Sequence, residues 1–362
     1  MKISINCKKI EGPYGGVIAF FRSLEGHLLK NGHKVVNHLN DNDIDIIIIV
    51  AYSTWSTASY SYLDAKAYKV KNSETIIIHR INECDERKGT NYMNKLLVKV
   101  AKESDFLVFI ASWLEPLLKK NGLPENKPSE IILNGADESI FNAKEKKIWN
   151  KKEKLKIVTH HWGGGYLKGH AIYQYLNKLL DNPNYDSKFE FTFIGNCPPG
   201  LEYKNTHIKS PLSGIALANE LKKHHVYLTA SLNEPAGMHH IEGAMCGLPI
   251  LYIKSGALPE YCNGYGIEFS RSNFKEKLNK MYDNYDFWAK KINSYDKTAR
   301  KMSNTYHNLF EKLYENRDDF ELHYDSMLPK NFYYSLLKIK SFFSNYTLRI
   351  RILKSAFIRK IT

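Results

Sequence analysis

Apolar residues along this chain gather in short runs, and amphipathic stretches separate the runs. In the first half the runs are Met1 to Cys7, Lys34 to Val36, Asp45 to Ala51, Glu74 to His79 and Phe106 to Ile110. Between them, Val17 to Asn31 reads as a helix of about fifteen residues that stops at Gly32, and Asn91 to Glu103 reads as another. Buried strands alternating with helices predict a doubly wound α/β domain. The longest apolar run, IDIIIIVAY from Ile44 to Tyr52, reads as a buried strand, because a membrane span needs about 18 apolar residues in a row.

A lysine-crowded stretch, KEKKIWNKKEKLK from Lys144 to Lys156, suits a solvated linker, and beyond it the alternation starts again. Strands are expected at Leu155 to His160, Glu190 to Ile194, His207 to Lys209, Val226 to Ala230, Pro249 to Ile253 and Gly266 to Phe269. A chain of 362 residues is long enough for two such cores. The expected domains are therefore 1–150 and 151–315, followed by a basic, aromatic tail over 316–362.

Charge sharpens the picture at that tail. The formal net charge is +14, and from Ser326 onward there is no acid at all. Eight positives (Lys330, Lys338, Lys340, Arg349, Arg351, Lys354, Arg359 and Lys360) alternate there with Phe, Tyr, Leu and Ile, a mixture suited to an anionic membrane surface. The alternative is a helix folded back on the protein with solvated lysines. Nucleic acid is not expected as a partner. The first ten residues lack the apolar region of a signal peptide, so a cytoplasmic protein, peripheral on the inner face of a membrane, is expected.

Five scattered cysteines with no C-x-x-C spacing indicate neither a disulfide framework nor a zinc site. The adjacent pairs His160-His161, His224-His225 and His239-His240 show no metal-ligand spacing, and no metal or other cofactor is expected. DNDID, Asp41 to Asp45, is read as a solvated loop.

The most informative stretch is NEPAGMHHIEGAMCGLPIL, Asn233 to Leu251, which sets Glu234 and Glu242 with seven residues between them at the mouth of an expected helix. Pro235 is placed to open that helix, Gly237 admits a ligand close to the backbone, and the first-turn N–H groups suit a sugar oxygen or phosphate. Met238, Ile241, Ala244 and Met245 also recur at helical spacing, so the same helix is expected to pack on a sheet. Downstream lies SGALPE, Ser255 to Glu260, and upstream EIILNGADESIF, Glu130 to Phe141.

In their order, these segments resemble retaining glycosyltransferases of family 4: the E-P-x-G-x-x-x-x-E signature, a G-G-x-P-E loop and an N-G-V-D segment. The resemblance covers about 1–314 and implies the GT-B fold, α/β with two Rossmann-like doubly wound domains facing across a cleft. It implies transfer of a sugar from a nucleoside diphosphate sugar to a hydroxyl of a carbohydrate or glycolipid acceptor, without a divalent metal. Glu242 would hold the ribose, Glu234 the transferred sugar, and Pro235, Ala236, Gly237 and Met238 would line the sugar with backbone. HHWGGGYLKG, His160 to Gly169, falls where the family has G-R-x-x-x-x-K-G, so Lys168 and Gly169, with His161, take the diphosphate. The family's Arg is missing there. By the same resemblance, Gly15 and Gly16 of the GPYGG loop approach the donor. The polar strand end HRINECDERKGTN carries the acceptor side, with His79 as a catalytic group beside Arg80, Asn82 and Glu83. Two alternatives stay open: a GT-B sugar-nucleotide epimerase, and a non-catalytic sugar- or membrane-binding protein.

Overall fold

The computed structural model describes residues 1–10, 16–52, 54, 57–322 and 328–361, the last seven by backbone alone. The chain forms two compact units, Met1–Leu133 with Met302–Thr362, and Asn134–Lys301. No helix among the described residues is long and apolar enough to cross a membrane.

The first unit holds a six-stranded parallel sheet of β1 (Lys2–Ile5), β2 (Lys34–Val36), β3 (Ile46–Ile49), β4 (Ile76–Ile81), β5 (Phe106–Phe109) and β6 (Ser129–Ile131), in the order β2-β1-β3-β4-β5-β6. Successive side chains of a strand point to opposite faces, and β3 shows the result. Ile46 and Ile48 join Phe20, Phe21, Leu24 and Leu28 of the helix Gly16–Lys30 on one face, where Tyr306, Leu309 and Phe310 also pack. Ile47 and Ile49 join Leu63, Tyr68 and Val70 of the helix Tyr62–Lys71 on the other. A strand covered on both faces must be apolar throughout, which is why the run reads as unbroken isoleucine. Just past β1, buried Asn6 satisfies its amide on the neighbouring loop, donating to the carbonyls of Ala51 and Tyr60 and accepting from the Val50 and Ala51 N–H groups.

The second unit repeats the plan with β7 (Leu155–His161), β8 (Phe189–Gly195), β9 (Thr206–Lys209), β10 (Val226–Thr229), β11 (Ile250–Ile253) and β12 (Gly266–Phe269). Its order is β12-β11-β10-β7-β8-β9, all parallel, which read from the other edge is the 3-2-1-4-5-6 winding of a dinucleotide-binding sheet. The order reverses between β7 and β10, so the loops beyond those two strands splay apart and leave a crevice at their carboxyl ends.

The units divide elsewhere than composition suggested. The lysine-rich stretch is not a free linker, because Trp149 is buried against Tyr282 and Tyr285 and accepts no solvent role: its N–H donates to the Tyr285 hydroxyl and its indole to the Glu153 carbonyl. Residues 134–150 thus belong to the second unit, while Met302, Tyr306 and Phe310 fill the core of the first.

The tail is likewise not a separate domain. Lys330–Ile361 is one helix of 32 residues. Leu337, Ser341 and Leu348 bury one face of it, with Tyr333 and Tyr334 packed against the same core as Leu337. Ser341 Oγ contacts Ser61 Oγ at 2.7 Å, and Lys338 pairs with Asp64 at 2.6 Å, so one of the eight positives is neutralised. Opposite that face, Ile339, Phe342, Phe343, Tyr346, Ile350 and Leu353 are exposed.

Candidate functional site

The predicted donor residues of the second unit lie around the reversal point of its sheet; Gly15 and Gly16 belong to the other part of the chain. β7 ends in His160 and His161, and β10 runs into Ser231 and Glu234. Asn233 turns the chain in the left-handed region at φ 51°, a conformation Asn tolerates better than most side chains. Gly256, at φ +56°, lies so close beneath this turn that a Cβ would sit 2.5 Å from the Glu234 carbonyl oxygen. The Asn233 N–H donates to Ser255 Oγ and the Ala257 N–H to the Glu234 carbonyl. Gly256 therefore serves by shaping the Glu234 loop.

The helix starts later than expected. It spans Met238–Met245 with Gly237 as its extended N-terminal cap, so Pro235 lies in the preceding bend and does not open it. Gly237 is required there: a Cβ would meet His239 Nδ1 at 2.5 Å and the Glu234 carboxyl carbon at 2.9 Å. Ala236 is held by Asn134, whose side-chain amide donates to its carbonyl at 3.0 Å while the Asn134 N–H donates to Tyr261.

The two acids have separate surroundings. Glu234, nearly buried, accepts from Ser231 Oγ at 2.7 Å and from Lys168 Nζ at 3.4 Å. Lys168 closes a single turn, Tyr166–Lys168, and Gly169 follows at φ +109°, where a Cβ would meet the Ala230 backbone at 2.7 Å. Glu242 lies in the second turn of the helix and meets His160 Nε2 at 2.7 Å, while the other nitrogen of that ring faces the Tyr227 hydroxyl at 3.1 Å. Gly243, beside it, lets the helix close onto β10, since a Cβ there would strike the Tyr227 ring. His161 points to Tyr173 at 2.9 Å, its ring 4.5 Å from that of His239.

Burial disfavours the charged form of two rings in this cluster. It pushes His239 well below the usual imidazole range and His240 down to about 4, and neither ring nitrogen of His240 has a hydrogen-bond partner. His239 accepts or donates one bond, to Thr229 Oγ1 at 2.9 Å. Lys168 is a cation beside Glu234. His160, Asn134 and Ser231 were not singled out from sequence; a histidine at a strand end at the reversal point was the available signal for the first.

In the first unit the acceptor-side residues divide. His79 and Arg80 lie in β4, which is buried throughout, and are not at an open strand end. The β4 run alternates faces, so both side chains enter a core. Burial pushes His79 down to about 3, its ring meets Tyr52 edge to face, and the Arg80 guanidinium lies 3.9 Å over Phe20. Asn82 and Glu83 do lie just beyond the strand, half-buried: Asn82 accepts from the Tyr52 hydroxyl and Glu83 pairs with Lys88. Gly16 is exposed at the first position of its helix, and Gly15 lies outside the described residues.

No family model and no curated protein matches the sequence. Solved structures do match in fold. Sucrose-phosphate synthase from Thermosynechococcus elongatus superposes with a TM-score of 0.60 at 12% identity, over 87% of this chain and 99% of that one. HepE from Anabaena, solved with UDP, gives 0.61 at 12%, over 88% and 99%. A glycosyltransferase from Rickettsia africae gives 0.57 at 14%, over 87% and 98%. At such identity the likeness shows the fold alone, and that fold is GT-B, two Rossmann-like units in one chain.

Proposed function

We propose that the chain is a glycosyltransferase of the retaining, family 4 type that takes its sugar from a nucleoside diphosphate donor bound to the second unit. The observation that carries this reading is that Glu234 and Glu242 flank the start of one helix at the reversal point of a dinucleotide-type sheet, each with its own cation or imidazole partner. Glu242, held by His160, takes the ribose hydroxyls. Glu234 and the backbone from Pro235 to Met238 take the transferred sugar, and Lys168 exchanges part of its contact with Glu234 for the diphosphate as charge grows on the leaving group.

The chemistry asks for charge placement. Departure of the diphosphate breaks the sugar C–O bond and leaves an oxocarbenium-like sugar, which a buried carboxylate such as Glu234 stabilises; the acceptor oxygen then bonds to that carbon and its proton passes to the departing diphosphate. No divalent metal is assigned a part. Asn82 and Glu83 are the acceptor-side groups open enough to meet a carbohydrate. HepE was solved with UDP, and a uridine nucleotide is the first donor class to try.

The tail supplies a place of action. Leu337 and Tyr346 are nine residues, about two and a half turns, apart, so the exposed apolar stripe runs diametrically opposite the buried one. Lys340, Arg349 and Lys354 flank that stripe, and no acid interrupts it. Such a helix suits the boundary between anionic headgroups and acyl chains, and places the enzyme where a glycolipid acceptor resides.

The test is calorimetric titration of the full chain with UDP, GDP, ADP and CMP, followed by turnover of the matching sugar donor with and without lipid-linked or soluble glycan acceptors. Binding of one diphosphate and acceptor-dependent release of it are expected. Donor breakdown to free sugar with no acceptor product identifies the epimerase instead, and no binding of any nucleotide ends the reading.

A further inference from the structure

Away from the donor residues, the first unit brings together side chains that sequence spacing kept apart. His33 follows the glycine turn before β2, and His307 and Glu311 lie one turn apart on the helix Ala299–Glu315. The Nε2 atoms of His33 and His307 are 2.7 Å apart although 274 positions separate the residues. Glu311 Oε1 lies 3.3 Å from the same His307 nitrogen, and the three atoms all fall within 4.8 Å of one another. His27, on the preceding helix, sets its ring edge to face against His307 at 5.5 Å.

One imidazole nitrogen has a single N–H or a single lone pair to offer, yet His307 Nε2 faces both an imidazole nitrogen and a carboxylate oxygen. A shared proton serves one of those partners well. A cation among the three serves all of them once His33 turns its lone pair to Nε2, for which Nδ1 keeps the proton and the Met1 ammonium, 3.2 Å away, gives up its bond there; two neutral nitrogens and one anionic oxygen are then the ligands. We propose that His33, His307 and Glu311 form a binding site for a divalent transition-metal ion of the zinc class. Imidazole nitrogen favours such ions over magnesium or calcium, which prefer oxygen. Zinc–nitrogen bonds at a tetrahedral angle set two nitrogens roughly 3.3 Å apart, so the rings open by a fraction of an ångström to admit the ion. The exposed side of Glu311 leaves room for water as the remaining ligand. Bound there, the ion ties the turn before β2 to the returning helix, a structural clamp independent of the sugar chemistry.

The experiment uses the full chain freed of metal by chelation. Titration with zinc chloride is expected to show one ion per chain and a raised melting temperature, and cobalt(II) is expected to show the visible absorption of a four-coordinate site. His307→Ala and His33→Ala weaken zinc binding roughly tenfold or more. Glu311→Gln alters only an exposed carboxylate, so it must melt like the parent protein without zinc and still lose affinity. The assignment is overturned if Glu311→Gln and His307→Ala bind zinc as the parent does, if zinc binds nowhere, or if magnesium produces the same response.

Discussion

Glu234 and Glu242 are both half-buried or deeper, but their partners give them different work. With Glu242 on the ribose as proposed, Glu242→Gln keeps the side chain's shape and is expected to lose charge-assisted acceptance, at a cost of about 1.5–3 kcal/mol of nucleotide affinity. Glu234→Gln is expected to leave nucleoside diphosphate affinity near that of the parent and to lower turnover, because its proposed partner is the sugar as charge develops. Titration calorimetry on both variants beside initial rates reads the split; normal binding and normal turnover in both would remove the donor site. A second residue-scale effect comes from the buried imidazoles. Burial puts His240 at about 4 and His79 at about 3, below the 6.5 of an exposed ring. The unfolded chain therefore binds more protons as pH falls, and their contribution is whole above about pH 6.5 and declines toward pH 4 by up to about 1.4 kcal/mol per unit for each ring. His240→Phe keeps a ring that takes no proton, so urea midpoints for that variant should fall less steeply over the same window. An unchanged slope excludes His240 as a contributor.

At the scale of elements, Asp64 joins the helix Tyr62–Lys71 to the tail. Its carboxylate accepts from the Ser61 N–H and hydroxyl, from Ser341 Oγ at 2.8 Å and from Lys338, and those bonds hold it below the usual carboxylate range against the opposing pull of burial. Asp64→Ala removes a capping box and two tail bonds together, an expected loss of about 1–3 kcal/mol, seen as faster hydrogen exchange over 330–348. The outward face of the same tail helix is predicted to bind vesicles of anionic lipid more tightly than neutral ones, less so as salt rises, and Phe343→Asp with Ile350→Asp should abolish it. Equal binding to both lipids argues against headgroup recognition, and a salt-insensitive dimer in solution assigns the stripe to a second copy. Strands were legible because a doubly covered strand needs an unbroken apolar run, as in Ile46–Ile49. The late start of Met238–Met245 was not, because Pro235 suits a first helical turn, and the crowding of Glu234 and His239 against Gly237, which requires a glycine at the cap, is visible only in the tertiary structure. The pairing of Glu242 with His160 was hidden for the same reason: 82 positions separate them, and strand order alone brings them together.

For the molecule as a whole, each unit carries a complete sheet, while the proposed donor residues lie in 134–301. A nucleoside diphosphate at about 100 times its dissociation constant should add about 2.7 kcal/mol to the unit that binds it. Hydrogen exchange with nucleotide alone should then slow in 134–301 and stay unchanged around β1 and β3; slowing around β1 and β3 instead would move the donor site to the first unit. The composition-based boundary failed because charge marks solvation, and a lysine-rich stretch can still bury one Trp149. The split of the first unit also bears on how the protein is made. A ribosome delivers Met1–Leu133 first, yet Tyr306, Leu309, Phe310 and Leu313 of its core arrive only after the entire second unit. The nascent amino-terminal sheet therefore waits with one apolar face incompletely covered until residues 302–313 have been made, so the part begun first is the part completed last.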